Sequence, residues 1–167
     1  MIILDATALS ALLKVGAVHI LLETFPSDSF IIPGEVWGEI RKTDVIRAAV
    51  DRVLQEHGDR FRVLEVDQQQ AALASQLEER LHRGESEAIA IAKLSGARLI
   101  MDDLTARTVA KQLSIPIGGT LLVMRLAYEK CPIETYEELK DLINRLSEDL
   151  YFNRSLEEWV LQAEKLS

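Results

Sequence analysis

The run Gly84-Glu85-Ser86-Glu87-Ala88-Ile89-Ala90-Ile91-Ala92-Lys93-Leu94, followed after Gly96 by Arg98-Leu99-Ile100-Met101-Asp102-Asp103, sets two kinds of element side by side. Its first part is rich in alanine and isoleucine, with acids confined to the first turn. It reads as a buried helix over 85–94 that Gly96 stops. Its second part is an apolar run too short for a helix, so it reads as a buried strand that ends in two acids. Helix, turn, strand and then acid is the returning half of a βαβ unit, and the same order recurs on both sides.

Upstream, Ile2-Ile3-Leu4 is strand-like and ends in Asp5. Thr7 is expected to cap a helix over 8–15, which Gly16 breaks, and a short helix over 18–24 follows. Phe30-Ile31-Ile32 reads as the next strand. Pro33 suits the first turn of a helix over 34–42. Asp44 starts another helix that Gly58 closes. Residues 61–66 alternate like a strand, and Asp67 caps a long helix through Leu81, with Gly84 separating it from the next.

Downstream, 105–113 is helical and Ile115-Pro116-Ile117 is a last strand, at an edge because proline cannot donate to a ladder. Gly118-Gly119-Thr120 leads into a helix over 121–130. Beyond Pro132, 136–146 and 156–166 are helical, with Arg154-Ser155 as turn and cap and Trp159, Val160 and Ala163 as the apolar stripe of the second. Alternating strands and helices predict an α/β fold with a mainly parallel central sheet. Residues 1–130 form the expected domain. Residues 131–167 are expected to pack on it as a helical extension, since roughly 35 residues rarely build a core alone.

The chain has 167 residues, 48% of them hydrophobic, which suits one domain and excludes a disordered chain. Cys131 is the only cysteine, which excludes a disulfide scaffold; it reads as an ordinary buried thiol. No apolar stretch approaches the roughly 20 residues of a membrane span. The first residues lack a basic lead and place Asp5 early, so no secretory signal is expected and the expected location is cytoplasmic, away from membranes.

Acids outnumber bases 27 to 19, giving a net charge of −8. That excludes a protein that grips nucleic acid by a broad basic surface. Residues 1–130 carry a net −3 and residues 131–167 a net −5, so the last fifth is the strongly acidic part.

In a parallel sheet, ligands bind beyond the carboxyl ends of the strands. Asp5 and Asp102-Asp103 sit at two such ends. Each also suits a helix cap, although capping needs one aspartate and not two. Glu39 borders the apolar face of its helix, and Glu35 lies one turn before it. Glu85 and Glu87 open the alanine-rich helix, where acids suit the helix dipole and also suit a cation.

Together Asp5, Glu39, Glu85 and Asp103 resemble the acidic quartet of PIN-domain proteins, a family of metal-dependent ribonucleases that includes the VapC toxins. The resemblance lies in order and spacing: Glu39 follows Asp5 by 34 residues, and Asp103 follows Glu85 by 18. The Gly84–Ala90 run, Ile100-Met101-Asp102-Asp103, Arg107, Ala110 and Gly119-Thr120-Leu121 resemble one branch of predicted prokaryotic nucleic-acid-binding proteins more closely. Where many PIN domains have Ser or Thr before the fourth acid, Met101 and Asp102 stand here. Many have Asp as the third acid, where this chain offers Glu85, with Glu87 in reserve.

The resemblance implies a three-layer α/β/α fold over about residues 1–130 and an endoribonuclease that leaves a 5′-phosphate and a 3′-hydroxyl. It implies Mg²⁺ or Mn²⁺ held by the four acids, Asp5 and Asp103 centrally. Four carboxylates without His or Cys suit those ions and not zinc. Thr7, Asp102 and Arg107 are supporting candidates, Arg107 toward a phosphate or toward Glu87 or Asp102. An RNA substrate, a homodimer and an antitoxin partner are also implied.

Arg41, Lys42, Arg47, Arg80 and Arg83 are the candidates for gripping RNA. His19, His57 and His82 read as structural or solvated, away from the acids, and Trp37 as core. A catalytically silent binding module is the alternative, against which the complete quartet argues. A phosphatase of the haloacid-dehalogenase kind would need a second Asp where Thr7 stands.

Overall fold

Alternate residues of three short apolar strands face opposite ways, and this builds a three-layer molecule. The structure is a computed structural model that describes residues 1–165. The strands are β1 (Ile2–Leu4), β2 (Phe30–Pro33), β3 (Phe61–Leu64), β4 (Arg98–Ile100) and β5 (Ile117–Gly118). They form one sheet in the order β3-β2-β1-β4-β5, with every pairing parallel. Pro116 precedes β5, which is an edge strand, as expected.

Among the described residues there are ten helices: α1 (Ala6–Lys14), α2 (Val18–Thr24), α3 (Gly34–Ile40), α4 (Asp44–His57), α5 (Gln68–Leu77), α6 (Arg83–Ser95), α7 (Leu104–Gln112), α8 (Thr120–Glu129), α9 (Tyr136–Leu146) and α10 (Arg154–Leu161). Ile2, Leu4, Phe30, Ile32 and Ile100 point to one face and pack with α1–α4 and α8–α10. Ile3, Ile31, Leu99 and Met101 point to the other and pack with α6 and α7. The period-2 alternation of side chains along a strand gives each face its own core. No single helix among the described residues is long and apolar enough to cross a membrane.

Several boundaries differ from the sequence reading. Asp5, not Thr7, caps α1: its carboxylate accepts from the Ala8 amide at 2.8 Å. Thr7 lies inside the helix. Asp67 caps α5 through a reciprocal capping box with Gln70, as expected, but α5 ends at Leu77 and gives way to turns. Gly84 does not separate helices. It lies inside α6, which His82 opens.

Gly84 is where α6 crosses α3. A Cβ there would stand 3.3 Å from Val36 Cγ2 and 3.4 Å from Glu39 Oε2. The small residue therefore lets two acid-bearing helices approach.

Beyond the sheet, α9 spans the expected residues. Asn153, not Arg154-Ser155, caps α10, which starts two residues earlier than expected. The expected end at Leu166 lies outside the described residues. Leu139, Leu142, Ile143, Leu146 and Val160 enter the same core as α1, α2 and α8. Trp159 stays partly exposed, with the Arg125 guanidinium 4.2 Å from its ring centre. Cys131 is exposed and not buried, because the chain takes a left-handed turn there (φ 75°) as α8 ends.

Candidate active site

The strand order reverses between β1 and β4, since the chain leaves β1 toward β2 on one side and returns to β4 on the other. At such a switch point the loops after adjacent strands part and leave a crevice. Asp5 follows β1 and Asp102-Asp103 follow β4, so the crevice is flanked by acids. The Asp5 amide donates to the Ile100 carbonyl at 3.1 Å and ties the two strand ends together.

Each of three acids is fixed by a helix start. Asp5 Oδ1 accepts from the Ala8 amide, and Asp103 Oδ1 accepts from the Ala106 amide at 2.8 Å as the cap of α7. Glu85 Oε2 accepts from the His82 amide at 3.0 Å, closing a capping box on α6. One oxygen of each carboxylate is thus tied to backbone, and the side chain is held in place. Glu39, in the last turn of α3, is exposed and lies over Gly84.

Asp5, Glu39 and Glu85 line one cleft of about 550 Å³ with Thr7, Lys42 and His82. Asp103 does not line that cleft. It lines a neighbouring one of about 370 Å³, which shares Glu85 and His82 and includes Arg80. Glu85 is therefore the wall common to both.

The charges of this group act on one another. Burial pushes the Asp5 carboxyl well above the usual carboxylate range, against the Ala8 amide, and the charges of Asp102 and Glu85 push it further. Burial raises Glu85 too; the His82 amide opposes this, and the charges of Asp103 and Glu39 add to it. Asp102 is also raised by burial, although the Thr120 hydroxyl and amide, at 2.5 and 2.9 Å, stabilise its charged form. Asp102 thereby links the end of β4 to the start of α8.

The other candidates separate clearly. Glu87 is buried and turned from the clefts. It accepts from the Glu35 amide at 2.9 Å, and burial raises its carboxyl despite that bond. Arg107 lies beside Asp102, across Gly119, where a Cβ would meet both side chains within 2.7 Å.

Arg41 pairs with Asp51 and stacks on Trp37, which is half-buried. Arg47 pairs with Asp44, and Arg83 with Glu35 and Glu78. Lys42 faces the larger cleft and, among the described residues, has no carboxylate within ion-pair distance. His82 corrects the sequence reading: it stands at the acids and lines both clefts. Its position three residues before Glu85, the spacing of a capping box, was the signal for it.

The donor set consists of carboxylate and hydroxyl oxygens, which suits a hard divalent cation. Among the described residues no three His, Cys, Asp or Glu side chains draw together closely enough to enclose an ion. Mutually repelling acids do not converge without a counter-charge. A cation that keeps several of its waters and takes one or two carboxylates directly fits such a spread set, whereas a zinc site closed by four protein ligands does not.

A parallel α/β sheet with a carboxylate crevice at its switch point defines the class. A family model described as PIN domain matches residues 1–165, and the chain belongs to the PIN-domain family. Members of this family are in general nucleases that use divalent metal ions. The match runs on through α9 and α10, beyond the residue near 130 where the resemblance read from the sequence stops.

A chain of VapBC2 from Rickettsia felis, solved bound to a DNA fragment from its promoter, is similar in fold with a TM-score of 0.54 and 12% sequence identity. The likeness covers 71% of this chain and 98% of that one. A search of curated proteins found no match.

Proposed function

We propose that the protein is a divalent-metal-dependent endoribonuclease whose site is Asp5, Glu39, Glu85 and Asp103. The observation that carries this reading is the crevice itself. Acids that follow β1 and β4 and open α6 are fixed there by backbone amides, with no salt bridge to any of them among the described residues, and burial and mutual repulsion raise Asp5 and Glu85. Structural acids are normally paired. Acids held together unpaired are placed for a positively charged guest.

In this reading Asp5 and Asp103 are the central ligands and Glu85 is the third acid, because Glu85 faces the clefts while Glu87 serves the start of α3. Glu39 completes the set from α3. When bound, Mg²⁺ or Mn²⁺ supplies charge for the scissile phosphate and activates water. Asp102 holds the end of β4 against α8, and Lys42 lies where it can meet a phosphate. Hydrolysis places a water oxygen on phosphorus and breaks the bond to O3′, leaving a 5′-phosphate and a 3′-hydroxyl. The likeness to a VapBC2 chain, beside the toxin resemblance of the sequence, supports an antitoxin partner, and a homodimer rests on that resemblance alone.

The spread of the acids would also suit a silent module that keeps the fold, and one experiment separates the two. Mixed structured and unstructured RNAs are incubated with Mg²⁺ or Mn²⁺, with an EDTA control and the Asp103→Asn variant. Cutting that EDTA and the variant abolish is the expected result. Intact RNA, with no metal-induced rise in the melting temperature of the native chain, sinks the reading.

A further inference from the structure

A second groove leaves the carboxylate cleft along α1. It shares Ala6, Thr7 and Glu39 with the cleft and continues past Ser10 and Lys14, with a volume of about 280 Å³. Thr7, Ser10 and Lys14 are spaced three and four apart, so they form one face of the helix. They give two hydroxyls and an ammonium in a row, about 10 Å from end to end. The opposite wall comes from Ile40, Thr43 and Ile46.

The far end is closed by the acidic C-terminal extension. Asp149 lines the groove there and pairs with Lys14 at 2.5 Å. Arg145 of the same extension donates to the Val15 carbonyl at 2.8 Å, holding the segment against the end of α1.

We propose that this groove is the path of a single RNA strand running from the carboxylates, and that Asp149 is an electrostatic latch which a backbone phosphate displaces from Lys14. The proposal rests on the ribonuclease reading and adds a substrate-positioning lysine and a regulating carboxylate to it. A phosphate matches the ammonium and the two hydroxyls, all of which are donors. The pair is half-exposed, and such pairs contribute little on their own, so a phosphate can replace the carboxylate. The groove also explains why the most acidic part of the chain touches one of the few lysines beside the site: strands that fail to displace it are not held.

The test is binding of a labelled single-stranded oligoribonucleotide in Mg²⁺ by fluorescence anisotropy, with the full chain carrying Asp103→Asn so that the RNA stays intact. Cutting is followed in parallel with Asp103 present. Asp149→Asn should tighten binding about two- to fivefold. Lys14→Gln should weaken binding several-fold, lower the salt slope by about 0.7 and abolish the gain from Asp149→Asn. Glu148→Gln, the same charge change one residue away, should leave binding unaltered.

If Glu148→Gln tightens binding as much as Asp149→Asn, or if the gain persists with Gln at position 14, the latch is overturned and net charge is the cause. If all forms bind alike while the chain with Asp103 still cuts RNA, the latch fails and the ribonuclease reading stands. If no form binds and none cuts, the ribonuclease reading fails and the latch with it.

Discussion

The two ends of the central strands treat their acids in opposite ways. At the N-terminal end, Asp28 lies between the Met1 amine, 2.7 Å away, and the Arg98 guanidinium. Burial pushes its carboxyl up, but the two cations outweigh burial and hold it below the usual range. Three strand starts are tied together there by complementary charge. At the C-terminal end of the same strands, Asp5, Glu85 and Asp102 are raised by burial, and neighbouring acids add to this for Asp5 and Glu85. One end pairs its acid with two cations, and the other sets Asp5 and Glu85 beside further acids with no salt bridge to either among the described residues. A matched acid is a tether, whereas the acids at the other end, in no salt bridge among the described residues, are the ones that the proposed function assigns to a cation.

Neutralising an acid at the C-terminal end of the strands should have the largest effect. Asp5→Asn should lower metal-dependent RNA cleavage by at least about a hundredfold, as loss of a central ligand implies. It should also raise the metal-free melting temperature by about 2–4 °C, because the amide still caps α1 without the repelled charge. A variant that is less active and also less stable would show that Asp5 is a structural acid like Asp28.

Glu85 and Glu87 show the same contrast within one helix. Glu85→Gln should reduce cleavage and metal affinity by about 10- to 100-fold. Glu87→Gln should leave both unaltered, because its oxygen serves only the Glu35 amide. Equal losses measured by cleavage rate and metal titration would return Glu87 to the site.

Acidity should move the two ends in opposite directions. A carboxyl raised in the folded chain holds its proton more tightly than in the unfolded one, so stability falls as pH rises through the ordinary carboxylate range and stays lowered above the folded value. The melting advantage of Asp5→Asn over the native chain should therefore widen from about pH 4 upward without metal, and close when Mg²⁺ is added. Asp28 has the reverse sign: its contribution is present above the ordinary carboxylate value and is lost as pH falls through the lowered one. The smallest effect follows from this. Asp28→Asn should cost about 1 kcal/mol near neutrality by thermal melting, the cost vanishing in acid, with cleavage unchanged.

The layers were legible in the sequence because Ile2-Ile3-Leu4, Phe30-Ile31-Ile32 and the run before Asp102 are too apolar and too short for anything but buried strands. Asp5, Glu85 and Asp103 were legible as strand ends and helix starts, and Glu39 as an acid bordering the apolar face of its helix. The cap of α1 was not, because Thr7 and Asp5 both suit that role and only the turn of the backbone decides between them. Glu85 and Glu87 are two apart, and the helix points them to different elements, which periodicity alone does not assign. His82 was misplaced for a related reason, since the helix begins before Gly84 and brings the histidine to the acids. The exposure of Cys131 depends on a left-handed turn that the sequence does not announce. The Lys14–Asp149 pair spans 135 residues and has no local signature.

Asp5 and Asp103 each cap a helix, and asparagine caps helices as well as aspartate does. A lineage released from the need to cut RNA could exchange either aspartate by a single-base change, keep its fold and relieve the repulsion at the switch point. Under the proposed ribonuclease reading, the aspartates at these two positions are what separate a chain able to hold a cation from an inert descendant of the same fold.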